Sequence, residues 1–177
     1  MTAPQLDQNT LKRLLAYEPT TGTFAWHHRD DVPKSWNTKY AGKPAGCAWP
    51  VRGSKLTYWI IRIFDWPFLG HRLAFLYMTG DWPLVQVDHI DLNGLNNRWI
   101  NLRDATRSQN LANTRAWRNN STGFKGVSLC KKTGRYRATI SLNSKQKWLG
   151  SFDTPEAAHA AYCHAARERS GKFARMS

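Results

Sequence analysis

Three residues near the middle of the chain carry side chains that can together hydrolyse a phosphodiester: Asp88, His89 and Asn110. Asp88 offers a charged, hard oxygen and Asn110 a neutral amide oxygen. Such a pair suits a divalent ion like Mg²⁺, which keeps part of its water shell and binds substrate phosphate. An imidazole beside them that is not itself a ligand can take a proton from water near pH 7. The set is that of a metal-assisted hydrolase. An Asp–His pair alone is more often an ordinary hydrogen-bonded contact than a catalytic one, so the weight rests on the frame that holds the three.

That frame is the stretch 85–113. Val85 to Ile90 is a short, β-branched, alternating run and reads as a strand. Asp91-Leu92-Asn93-Gly94-Leu95-Asn96-Asn97 is a run of turn-formers that bond their own backbone or accept positive φ, and a brief second strand follows around Ile100 to Arg103. Thr106 and Gln109 have the spacing of a capping box, which starts a helix and puts Asn110 in its first turn. Neighbouring side chains on a regular strand point to opposite faces, so the strand must end or twist at His89 if Asp88 and His89 are to reach one phosphate.

Asp88-His89-Ile90-Asp91-Leu92-Asn93, then Asn96-Asn97-Arg98, Asn101-Leu102-Arg103 and Gln109-Asn110 resemble the ββα-metal motif of HNH endonucleases of the phage and intron-encoded homing type. The resemblance implies His89 as general base, Asp88 and Asn110 as ligands of one Mg²⁺ or Mn²⁺ ion, and Asn101 as the residue that orients the loop and the His. The final family position is often His, and Asn there argues for a hard ion. Arg103, Arg107 and Arg115 are the candidates for clamping neighbouring phosphates.

The composition points the same way. A net charge of +14 over 177 residues favours a polyanionic partner, because Lys and Arg that neutralise phosphates release condensed counterions. Between Asn101 and Gly150 there are eleven Lys and Arg against one acid, Asp104. Cys47, Cys130 and Cys163 form no C-x-x-C pair, so neither a zinc knuckle nor a disulfide framework is indicated and a reducing cytosol fits. For a phage-encoded protein that is the bacterial host cytoplasm. No run approaches the length of a membrane span, and the start lacks a signal peptide's order.

Ahead of the motif, Leu11, Leu14 and Leu15 form a helical stripe within Leu6 to Tyr17, which Pro19 ends. Phe24 to His28 reads as a strand, Asp30 to Pro50 as a loop and Lys55 to Phe64 as a strand; Asp65-Trp66-Pro67 turns back into Phe68-Leu69. His71 to Met78 is a short helix with Gly80 at its C-terminal cap. His71-Arg72-Leu73 also resembles the lead-in to the phage HNH subgroup, where His71 either contacts phosphate or supports the site. His27 and His28 are adjacent and read as surface or packing residues. Asn113 to Gly123 is linker-like.

The tail shows three strand patterns and a helix. Val127 and Leu129 alternate with Ser128 and Cys130, and Tyr136, Ala138, Ile140 and Leu142 alternate with Arg135, Arg137, Thr139 and Ser141. Gln146 to Phe152 is the third strand, with Gly134 and Asn143-Ser144 as turns. Thr154 caps a helix with Pro155 at its first position, and Ala158, Ala161, Tyr162 and Ala165 make its sheet-facing stripe. Arg135, Arg137, Thr139, Ser141 and Trp148 are left facing outward, a face able to read nucleic acid. Lys125-Gly126-Val127, Tyr136-Arg137-Ala138, Trp148-Leu149-Gly150 and Ala157-Ala158 with Ala161-Tyr162 resemble the AP2 DNA-binding domain, which reads the major groove with its sheet. Lys125 and Lys147 join the DNA-contacting set on that resemblance. Ser128 and Cys130 stand where plant AP2 domains tend to carry Arg, so base preference does not carry over.

The expected architecture is α+β. Residues 1–118 form an N-terminal α/β region with the ββα-metal motif over about 85–113, and residues 119–177 an AP2-like domain of three antiparallel strands packed on one helix. The expected activity is metal-dependent cleavage of double-stranded DNA, by nicking or double-strand cutting, as a monomer or weak dimer. A DNA-binding protein without catalysis is the alternative, and RNA binding a further one that gives no reason for the metal-ligand set.

Overall fold

The structure, a computed structural model, describes residues 6–116, 120–142 and 145–176. By packing, the chain forms two compact units, Met1–Ala105 and Thr106–Ser177. The expected boundary near residue 119 differs from this division because the motif's six-residue helix packs against the last helix of the tail.

In the first unit, α1 (Gln8–Leu14) is capped by Asp7, whose carboxylate accepts from the Thr10 amide at 2.7 Å. The helix is shorter than the leucine stripe implies. Leu15 and Tyr17 bury themselves from a strand instead, β1 (Leu15–Glu18), which pairs antiparallel with β2 (Thr23–Trp26). Gly22 closes this hairpin at φ 75°, and its α-carbon lies against the backbone of Asn97 and Arg98, where a Cβ would collide.

The stretch read as a loop holds two elements, α2 (Lys34–Tyr40) and β3 (Cys47–Pro50). α2 has no buried residue. It is held by rings: Trp36 meets Trp26 at 5.5 Å and Tyr40 at 5.1 Å, a tertiary reason that periodicity does not register. β3 forms the edge of a three-stranded antiparallel sheet with β4 (Thr57–Ile63) and β5 (Trp66–Leu69). Its tight turn is Phe64-Asp65, both at positive φ, so Trp66 and Pro67 already belong to the returning strand. α3 (Gly70–Thr79) buries Leu73, Ala74 and Leu76 against α1 and β4 and ends at Gly80, φ 91°.

β6 (Gln86–His89) pairs antiparallel with β7 (Leu102–Ala105), and a 3₁₀ turn, Trp99–Asn101, leads into β7. The strand ends at His89, where the Leu92 amide donates back to the His89 carbonyl at 3.0 Å.

The second unit begins with α4 (Arg107–Ala112), whose capping box between Thr106 and Gln109 is complete. β8 (Val127–Leu129), β9 (Tyr136–Leu142) and β10 (Lys145–Phe152) form an antiparallel sheet in the order β10-β9-β8. α5 (Pro155–Ser170) covers one face, with the Thr154 hydroxyl accepting from the Ala157 amide. Val127, Ala138, Ile140, Ala158, Tyr162 and Ala166 are the buried interior. Gly126, at φ 77°, lies so close under the Tyr162 ring that a Cβ has no room. The turn expected at Asn143-Ser144 and part of the linker lie outside the described residues. Among the described residues no helix is long and apolar enough to cross a membrane.

Candidate active site

The register of β6 and β7 sets Asp88 directly opposite Arg103 and His89 opposite Leu102. Cross-strand partners share a face, and Arg103 uses this one to donate from Nε and a terminal guanidine nitrogen to Asp88 Oδ2, at 2.8 and 2.7 Å. Both side chains are withdrawn from solvent, at 11% and 2% exposure. Arg103, expected to clamp a neighbouring phosphate, is thus engaged with the candidate metal carboxylate.

His89 is buried. Its Nε2 lies 3.2 Å from Oδ1 of Asn97, an oxygen that can only accept, so Nε2 carries the proton and the lone pair is on Nδ1. Burial holds the imidazole below its ordinary pKa, against the opposing pull of the Asn97 bond and the Asp91 and Asp88 charges. It is therefore neutral near pH 7, the state a general base needs. His71 meets its ring edge-on at 4.8 Å, and Tyr58 lies 5.4 Å from His71 and 6.1 Å from His89. Nδ1 of His71 is buried and has no hydrogen-bond partner among the described residues. Burial, followed by the charges of His89 and Arg72, brings His71 down to about 3. His71 packs under the His89 ring as a neutral ring, and of the two roles expected for it, support is the one this placement serves.

Asn101 organises the loop. Its Oδ1 accepts from the Asp91 amide at 3.0 Å, and its Nδ2 donates to Asp91 Oδ1 and to the Asn96 carbonyl at 2.9 and 2.8 Å. Burial opposes the charged form of Asp91, yet bonds from the Asn93 amide and from Asn96 and Asn101 outweigh it and keep the carboxyl below its usual range. The hydrogen bond to His89 Nε2 is made by Asn97. Asn97 is in turn fixed through its carbonyl, which accepts from the Tyr17 hydroxyl at 2.6 Å, and Trp99 donates its amide to the Pro19 carbonyl at 3.0 Å. Sequence reasoning treated Asn97 as a turn-former; its signal was the doubled Asn before Arg98, one Asn more than a turn requires.

Asn110 lies half-buried in the first turn of α4, its amide donating to the Thr106 carbonyl at 3.0 Å, within the second unit. Among the described residues no group of three or more His, Cys, Asp or Glu could cage a metal. In the first unit the buried Asp88 carboxylate is a hard oxygen donor of the kind that suits a divalent ion retaining its waters.

In the second unit the outer sheet face carries a row set by register. Arg137 pairs with Ser128 and Ser151, Thr139 with Trp148, and Ser141 with Gln146. Trp148 is 65% exposed. Arg135 lies at the end of the row, where it pairs with Asp153 at 3.1 Å and donates to the Ser151 carbonyl. Lys147 is not on this face. It pairs with Ile140 and lines the helix side with Leu149, Ala165 and Glu168, since residues next to one another on a strand face apart. Lys125 is also spent internally: its ammonium donates to the carbonyls of Ala112, Thr114 and Arg175. Burial, then the Arg175 charge, brings it down to about 8. Arg107 and Arg115 are exposed.

The family model described as HNH endonuclease matches residues 69–112, and that of the AP2 domain matches residues 122–171. The chain is 37% identical over 90 residues to Protein 3.8 of Escherichia phage T7, an alignment covering 51% of this chain and 74% of that protein. The chain belongs to the HNH endonuclease family. It is also 36% identical over 106 residues to an uncharacterised HNH endonuclease of Acanthamoeba polyphaga mimivirus, covering 59% of this chain and 54% of the relative, so it spans about half of that protein's length. No solved structure matches. The HNH match begins at Leu69 and so includes α3 with His71 as well as the strand pair. Membership of the HNH endonuclease family suggests a nuclease, and the HNH and AP2 domains together imply DNA binding.

Proposed function

We propose that this HNH endonuclease hydrolyses phosphodiester bonds of double-stranded DNA in a divalent-metal-dependent reaction and is targeted, in the homing manner, by its AP2 sheet. The observation that carries the reading is the buried His89, held at Nε2 by Asn97 on a strand whose preceding residue is a buried carboxylate. His89 takes a proton at Nδ1 from a water as that water attacks the scissile phosphorus. Asp88 is the charged ligand for Mg²⁺ or Mn²⁺, and Asn110 the second that the family motif implies. The chemistry such an ion supplies is stabilisation of charge on the phosphate and the leaving 3′ oxygen. Asn101 keeps the loop in shape while this happens. Arg107 and Arg115 hold phosphates near the cut, and Arg137, Thr139, Ser141 and Trp148 present the reading face. Residues 1–118 serve as the cutting part and 119–177 as the delivering part, which raises the local concentration of the first on DNA.

Supercoiled plasmid incubated with the protein or with His89→Ala, in Mg²⁺, Mn²⁺ or EDTA, tests the reading. Relaxed or linear product that needs both metal and His89 is the expected result, with relaxed product alone indicating nicking. Intact plasmid in every lane, with DNA still shifted in a gel, would replace the nuclease with a DNA-binding protein.

A further inference from the structure

Two cations are assigned to one carboxylate. Arg103 places two donors on Oδ2 of Asp88, in a pair that is almost wholly out of solvent, and the nuclease reading puts a divalent ion on the same group. The guanidinium carries a delocalised positive charge. A dication approaching Asp88 therefore meets a fixed positive charge where water screens it poorly. The fork of an Arg also fits a phosphate as well as it fits a carboxylate, and the arrival of DNA supplies phosphates.

We infer that Arg103 competes with the divalent ion for Asp88 and turns onto a DNA phosphate when DNA binds, so that the ion is held tightly only on DNA. The inference rests on the nuclease reading and extends it. Ion and DNA strengthen each other's binding by linkage, without direct contact between them being required. Arg103 is a positioning residue in this scheme: it acts through Asp88, and its two acceptors alternate. The expectation that it clamps phosphate and its observed pairing with Asp88 become two states of one side chain.

The test titrates Mn²⁺ into metal-free, DNA-free full-length protein and reads the free ion by electron paramagnetic resonance. Arg103→Gln is expected to bind Mn²⁺ at least about tenfold tighter than wild type, the scale on which neighbours of metal ligands alter affinity. Arg103→Lys, which keeps the charge, stays close to wild type, and adding Asp88→Asn to Arg103→Gln removes the gain. If Arg103→Gln melts at a lower temperature but binds Mn²⁺ no tighter, Arg103 is only a structural partner of Asp88 and the inference is overturned. A second measurement needs no variant: the Arg103 Nε–H resonance of wild type shifts when Mg²⁺ and a non-cleavable duplex are added together. A resonance unmoved by the pair overturns the inference equally. Plasmid cleavage separates it from the nuclease reading. Cleavage by wild type without a gain in Arg103→Gln sinks the inference alone, while a gain with plasmid intact in every condition sinks the nuclease reading alone.

Discussion

The strand pair at Asp88 and the AP2 sheet are both small antiparallel ladders, yet they treat their polar side chains in opposite ways. At the β6–β7 pair, Asp88 and His89 on the strand and the supporting Asn97 and Asn101 in the connection between the strands are all buried, and each is tied to a named partner before any substrate arrives. On β9 and β10, Arg137, Ser141 and Trp148 are exposed, aligned by register but left to solvent. Chemistry on a phosphate needs donors and bases fixed in advance, because reorganising them during the reaction adds to the barrier. Recognition of DNA tolerates side chains that adjust on contact and bridge through water. Single changes should therefore act sharply on the first ladder and gradually on the second.

The largest contrast is expected at Asn97. In Asn97→Leu the His89 Nε2–H loses its acceptor, so the imidazole proposed as the base loses its tautomer and aim. Cleavage should fall by at least about tenfold, toward the 10²–10⁴-fold that general-base catalysis contributes, with DNA affinity in a gel shift unchanged. An equal loss of affinity and rate would show that the buried ladder is no more pre-set than the exposed one.

Gly126→Ala reaches the second ladder from behind. Its positive φ and the Tyr162 ring leave no space for a methyl group, and a cost of about 1–3 kcal/mol is expected from overpacking. DNA affinity should drop while cleavage by the DNA-bound fraction persists, which quantitative binding and single-turnover assays separate.

His71 makes the first unit sensitive to acid. Its folded pKa, about 3, lies below the ordinary value of 6.5, so the unfolded chain takes up its proton first as pH falls. The stabilising contribution is complete above about pH 6.5 and declines progressively toward about pH 3. Melting temperature should slope downward through this window, and His71→Phe should flatten the slope. An unchanged slope would place the acid sensitivity elsewhere.

The smallest effect tells the two faces of the AP2 sheet apart. Arg137→Gln should reduce the salt dependence of DNA binding by about one counterion, whereas Lys147→Gln should leave it unaltered. Equal slopes would contradict the register.

Local signals carried much of this into the sequence. The Thr106 capping box, Pro155 at the start of α5, Gly80 as a helix end and the strand–loop–strand order of the motif all depend on neighbours along the chain, and they stand as expected. What escaped depends on distant partners. α2 buries no residue and is met from outside itself by the Trp26 ring on Trp36, and Leu15 and Tyr17 fit a helical or a strand period equally well. Lys125 reads as a DNA-facing cation until its three carbonyl acceptors come together from far along the chain. Lys147 was legible, since it and Trp148 cannot share a face. Arg103 was read by charge, and only the register shows the carboxylate opposite it.

The hairpin of β1 and β2 lies outside the matched HNH segment, yet Tyr17, Pro19 and Gly22 brace the backbone from Asn97 to Trp99. A transplant of the minimal motif into another scaffold would carry the catalytic letters and lose the wall behind them. Recombination that exchanges nuclease cassettes between genes should therefore keep this hairpin in step with the motif, and the exchangeable part is longer than its signature.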